Sequence, residues 1–174
     1  MNMNRKELLQ QYIDTNLEVS KEGLRRKVDQ VFYDCMEMAS FSVGSKKAIY
    51  KEGSIDEYIK NNNDEDKFQK LLFQYIDSKG LKDSDVYNKV NIDRRLFSKI
   101  RNESYHPSID TIILLALSLE LTEEELDKLL NSASYTLPKN NVRDLIIRFC
   151  FKEKIYNLFE MNDLLLSYNC KVFE

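Results

Sequence analysis

The chain has 174 residues, 43% of them hydrophobic, which is enough for one ordinary domain with a real core and excludes disorder throughout. Only 4 Gly and 2 Pro, with no Trp beside 10 Tyr and 9 Phe, leave few turn-makers and favour helices over a many-stranded sheet. A formal net charge of −3 and a pI near 5.4 exclude a surface coated for indiscriminate nucleic-acid binding, so any such activity must sit in a local patch.

The opening MNMNRKELLQ has no apolar run of the kind a secretion signal needs. The longest apolar stretch, IILLALSLEL, falls well short of the ~20 residues that span a bilayer, so the expected location is the cytoplasm, away from any membrane. Cys35, Cys150 and Cys170 are scattered, with no Cys-x-x-Cys pair, and read as reduced structural thiols, with a redox or metal role as the alternative.

Leu8, Leu9, Tyr12, Ile13 and Leu17 recur at helical intervals and predict a first helix. Leu24, Val28, Val31, Phe32, Cys35, Met36 and Met38 predict a second; Ser20 can cap it, but Gly23 stands where a full capping box needs Glu. Gly44 and Gly53 mark a loop. Its VGSKKA stretch lacks the spacing of a phosphate-binding loop, because Ala39 holds the place of the first glycine and no strand precedes it. The Asn-rich NNND at 61–64 is read as a boundary.

From Phe68 the pattern sharpens. Phe68, Leu71, Leu72, Tyr75 and Ile76 share one helical face, and Gly80 stands where a left-handed cap belongs. DSDVYNKV, IDRRLFSKIRNE, DTIILLALSLEL and TEEELDKLLNSA each predict a further helix, the last capped by Thr122 with Glu123 to Glu125 in the first turn. Pro138 closes the set. NVRDLIIRFCFKEK and IYNLFEMNDLLLSYN are apolar enough that they must pack on something. Leu114, Leu117, Leu145, Ile147, Phe149, Phe151, Leu158, Phe159 and Leu165 exceed what one five-helix unit hides. Packing between core and flanking helices is the default, and self-association through the terminal helices the alternative.

Charge divides along the chain, with residues 67–101 rich in Lys and Arg and residues 103–130 rich in Asp and Glu. Within the basic half, a step of about 100° per residue puts Arg94, Ser98, Asn102, Arg95 and Lys99 on one arc of a helix and Leu96, Phe97 and Ile100 on the other. The apolar side docks. The other side offers two guanidinium groups and an ammonium to the outside, either as a solvated face or as a contact surface.

Val86, Val90, Ile92, Asp93, Phe97, Ser98, Ile100, Arg101, Asn102 and Glu103, followed by Pro107, Ser108 and Thr111, resemble the helix-turn-helix signature of the Cro and phage-repressor class, the XRE-like family, over about residues 66–132. The resemblance implies an all-α fold in which a five-helix repressor-like helix-turn-helix core (64–137) is flanked by an N-terminal helical region (1–60) and a C-terminal helical extension (138–174). It also implies a sequence-specific regulator that binds double-stranded DNA as a dimer on two half-sites. Arg94, Arg95, Ser98 and Lys99 would then enter the major groove, where an arginine fork suits guanine O6 and N7. Asn102, Lys82 and Lys89 would lie near phosphates.

This chain departs from the family at four places. Asp83, with Asp85 close behind, replaces the usual phosphate-contacting Gln, and carboxylates there weaken binding. Tyr87 replaces the small residue between the two motif helices, so it either swings outward or opens their crossing. Asn91 replaces the turn Gly and can still take a positive φ. Arg101 replaces a Glu, so its ion pair must be rebuilt with another acid, Asp77 being one candidate. A second reading follows, in which the shape is kept for a protein partner and the chain is an adaptor, for example in a bacterial toxin-antitoxin or phage-defence module.

No enzyme constellation assembles, and neither cofactor nor metal is expected. His106, the single histidine, sits in a loop beside Pro107 and suits a local hydrogen bond. Consecutive Glu123 to Glu125 diverge around a helix rather than converge on one ion, and read as a solvated helix start.

Overall fold

A computed structural model describes residues 5–19, 21, 26 and 67–173. The second predicted helix, the loop with Gly44 and Gly53, the VGSKKA stretch, Cys35 and the 61–64 boundary lie outside these residues. The chain divides into two compact units, Met1–Leu17 with Asp66–Glu174, and Glu18–Glu65. The described part of the first unit is all-α, and no strand occurs among the described residues.

Among the described residues eight helices follow in order: α1 (5–19), α2 (Phe68–Ser78), α3 (Asp83–Lys89), α4 (Arg94–Ile100), α5 (Ile109–Ser118), α6 (Glu123–Ser132), α7 (Val142–Lys152) and α8 (Leu158–Ser167). The five helices read from α2 onward in the sequence are present in that order. Among the described residues none is long and apolar enough to cross a membrane.

α5 is the centre of the fold. Ile112, Ile113, Leu115, Ala116 and Leu117 are fully buried, which explains why this segment is apolar on every side where its neighbours are amphipathic. It packs on α6 and α3, while α2 lies on α6 and α3 on α4. Ser108 starts it, its Oγ accepting the Thr111 N–H at 3.3 Å. Thr122 and Glu125 form a reciprocal capping box at α6: Thr122 Oγ1 accepts the Glu125 N–H, and Glu125 Oε2 accepts the Thr122 N–H at 2.8 Å.

Helix ends use left-handed residues despite the shortage of glycine. Gly80 has φ +63°, with its N–H on the Asp77 carbonyl and the Leu81 N–H on the Ile76 carbonyl. Asn91 (φ 55°) repeats the arrangement after α3, where the Ile92 N–H reaches the Tyr87 carbonyl at 2.9 Å. Glu120, Ser134, Lys154 and Asn169 close α5 to α8 with φ between 50° and 60°. The tight stops come from geometry that Asn, and at lower preference other residues, can adopt.

α7 and α8 pack on each other, and α7 packs on α6. Arg148 fastens that contact. Its guanidinium donates to Glu123 at 2.8 Å, to Asp127 at 2.7 and 3.0 Å, and to the Leu137 carbonyl at 2.8 Å. Burial opposes the charge on Arg148, but its hydrogen bonds to Asp127 and Glu123 outweigh that and its pKa is raised. Glu123 is therefore an ion-pair partner of α7, not the solvated start expected of it. α1 joins the same unit, with Leu9 and Ile13 buried, Tyr12 against the Phe149 ring at 5.6 Å, and Arg5 paired to Glu160 at 2.7 Å. Apolar packing within the unit absorbs the surplus almost entirely: Leu114, Leu117, Leu145, Ile147, Phe149, Phe151 and Leu165 are buried, Leu158 is half-buried, and Phe159 is exposed.

Candidate nucleic-acid interface

α3, the turn at Asn91 and α4 form the candidate surface. Asp93 sets the start of α4, its Oδ1 accepting the Arg95 N–H at 2.6 Å and the Leu96 N–H at 3.4 Å. Phe97 and Ile100 fix the inner side at 2% and 0% exposure, and Leu96 is half-buried. Each fully buried anchor of this size contributes about 1.5–3 kcal/mol. Phe97 meets the Phe73 ring edge-on at 6.3 Å and the Tyr87 ring at 5.5 Å. Tyr87 is thus half-buried and packed over Phe97 rather than swung into solvent.

The outer side of α4 carries Arg94, Arg95, Ser98 and Lys99, all exposed. Among the described residues the side chains of Arg94, Arg95 and Lys99 have no hydrogen bond and no ion pair. A shallow cleft beside them is lined by Lys82, Ser84, Tyr87, Arg94 and Ser98.

The other expected contacts are engaged within the fold to different degrees. Lys82 is exposed, and its backbone N–H donates to Asp85 at 3.2 Å. Lys89 is paired to Glu120 at 2.5 Å, and that hydrogen bond holds the Glu120 carboxyl below the usual range. Asn102 shapes the loop after α4: its Oδ1 accepts the Ser104 N–H at 3.1 Å and the Ser104 hydroxyl at 2.9 Å. The buried Gln69 braces the same loop from α2, donating to the Asn102 carbonyl at 3.3 Å and the Tyr105 carbonyl at 3.0 Å. A glutamine on the apolar face of a helix is the signal by which the sequence could have announced that brace.

Arg101 pairs with Asp83, not with Asp77. The reason is spatial: Arg101 ends α4 beside the start of α3, and its guanidinium also lies over the Phe73 ring at 4.7 Å from the centroid. The carboxylate expected to repel phosphate is thereby neutralised from within, and Asp85 is occupied as the cap of α3. Around the cleft, cations outnumber uncompensated acids.

Outside this surface the titratable groups serve the fold. His106 Nε2 donates to the Ala133 carbonyl at 2.9 Å, leaving Nδ1 to accept from the Tyr135 hydroxyl at 3.3 Å. Burial pushes the Cys150 thiol up to about 12, which removes it as a nucleophile near neutral pH. Among the described residues no group of three or more His, Cys, Asp or Glu is placed to hold a metal ion. Compared with known proteins, the chain matches no family model, no curated protein and no solved structure.

Proposed function

We propose that this protein reads double-stranded DNA through a repressor-like helix-turn-helix made of α3 and α4, two copies binding two half-sites as a transcriptional regulator. The observation that carries the reading is the state of α4. It is a capped helix bolted down by Phe97 and Ile100, and it presents Arg94, Arg95 and Lys99 to solvent with no partner among the described residues. Arg94 and Arg95 suit bidentate readout of guanine, while Lys99 suits a guanine or a phosphate. Ser98 lies between them, and Lys82 beside the cleft is the backbone contact that positions the domain. Lys89 and Asn102 take part only if they leave Glu120 and Ser104 on binding.

Selection of bound duplexes from a random pool, followed by anisotropy titrations at rising salt, tests the reading. A selected site should be bound with affinity falling steeply as salt rises, and the Arg94→Ala/Arg95→Ala/Lys99→Ala variant should lose it. No retention of any duplex at low salt would overturn it. The alternative is an adaptor that holds a protein partner with the same shape, and it is favoured by the acid Asp77 lining the same cleft. It predicts partner binding that survives the triple substitution.

A further inference from the structure

Residues 170–173 form no helix, yet they are held in place. The Cys170 N–H donates to the Leu165 carbonyl at 2.9 Å, just past the left-handed stop at Asn169. Phe173 is 5% exposed, and one side chain of α8 grips its backbone twice: Asn162 Oδ1 accepts the Phe173 N–H at 2.9 Å, and Asn162 Nδ2 donates to the Phe173 carbonyl at 3.0 Å. From α7, Arg143 donates through Nε to the Lys171 carbonyl at 3.1 Å and lays its guanidinium over the Phe173 ring, 4.8 Å from the centroid. Residues 170–173 are thus a strap fixed to both α7 and α8.

One side chain on the strap has little to do within the fold. Lys171 is 73% exposed, and the acid it approaches, Asp110, lies 3.8 Å away with its other oxygen already bound by Arg143 at 2.8 Å. A pair so long and so exposed contributes little to stability. The strap sets this ammonium beside the reading helix: Lys171 and Phe173 line a cleft with Asn91, Asp93 and Leu96, from the turn and the start of α4. Leu96 lies about 160° around α4 from Arg94. The cleft with Lys171 is therefore on one flank of the helix, and the cleft with Lys82 and Arg94 is on the other.

We propose that Lys171 is a DNA-phosphate contact, brought to the reading surface from outside the helix-turn-helix and held there by the 170–173 strap. A helix about 10–12 Å across fills a major groove about 12 Å wide, so the phosphates of the two strands pass along its two flanks. Lys82 meets one strand and Lys171 the other. The two acids on the Lys171 flank are both engaged, Asp93 with the α4 amides and Asp110 with Arg143. The inference rests on the DNA reading and widens its footprint; a phosphate contact adds affinity and fixes orientation without choosing a base.

Anisotropy titration of the full chain on the selected duplex, repeated over a series of salt concentrations, tests it. Lys171→Ala should bind several-fold more weakly at low salt, with a log–log salt slope smaller by about one and an unchanged order of preference among duplexes. Lys171→Arg should keep both affinity and slope. The urea midpoint of Lys171→Ala should match the parent, because Asp110 keeps Arg143. Asn162→Ala releases the strap but leaves the ammonium, so it should weaken binding by itself and add nothing in the Lys171→Ala chain, whereas general loosening of the fold would add in both backgrounds. Parent-like affinity and slope in Lys171→Ala overturn the inference and leave reading by α4 intact. So does an altered order of preference, which makes Lys171 a base contact, or an Asn162→Ala loss that adds in full. A parent that retains no duplex overturns this inference and the DNA reading together.

Discussion

Arg148 on α7 and the Arg94–Arg95 pair on α4 are the same chemical group in opposite settings. Arg148, 8% exposed, has two carboxylates and a carbonyl around it and joins two helices. Arg94 and Arg95 stand in solvent with no acceptor among the described residues, on a helix whose other side is locked. A guanidinium taken out of water needs its acceptors supplied by the fold, and once supplied they hold the fold together. A guanidinium left in water on a rigid helix contributes little to stability and remains available to a ligand. The contrast separates cations that hold the fold together from cations left open to solvent.

The largest effect expected is on DNA. In Arg94→Ala/Arg95→Ala/Lys99→Ala each lost contact should remove about 1–3 kcal/mol from binding to the selected site, while the urea midpoint moves by no more than about 0.5 kcal/mol in stability. A large fall in stability would erase the contrast with Arg148.

Next comes Arg148→Ala, which strands Glu123 and Asp127 and frees the Leu137 carbonyl. We expect a loss of about 2–4 kcal/mol in urea denaturation, somewhat below the figure for fully buried pairs because both acids keep part of their surface in water. An unchanged midpoint would show the network to be decorative. DNA affinity of the folded variant should match the parent, since α4 is untouched.

Gly80→Ala tests whether the stop of α2 depends on conformation alone. A Cβ at Gly80 meets nothing within 4 Å, so any loss must come from its φ of +63°, and about 1 kcal/mol is expected. A neutral result would mean the backbone relaxes freely there.

The smallest effect is electrostatic. Glu120 is lowered from its ordinary value of 4.5 by the hydrogen bond and charge of Lys89, so its contribution is present above 4.5 and fades as the pH falls through the lowered value. Both side chains are about half exposed, which limits the contribution to under about 1 kcal/mol. Parent and Glu120→Gln should differ slightly at pH 7 and converge in acid; a gap that widens in acid would contradict the pairing.

Much of the fold was legible in residue order. Apolar spacing gave the order of α2 to α6, and Thr122, Gly80 and Asn91 marked boundaries through chemistry that acts within four or five residues. The two faces of α4 were equally local, since Phe97 and Ile100 alternate with Arg94, Arg95 and Lys99 at intervals a helical wheel resolves. Pairings across the chain were not legible. By sequence Asp77 is one candidate partner for Arg101, which in the fold meets Asp83; Glu123 reads as a solvated helix start but meets Arg148; and the Lys89–Glu120 pair has no sequence signal. In each case the partner lies 18 or more residues away, at a distance that periodicity does not encode.

What the sequence by itself determined is which segments coil and which side of each is greasy, because helix period, caps and left-handed stops are short-range consequences of side-chain type. What only the tertiary structure decided is which charges are spent. Whether an arginine meets a carboxylate or open water depends on how α3 lies beside α4 and α7 beside α6, and those placements follow from burying apolar faces contributed by distant parts of the chain.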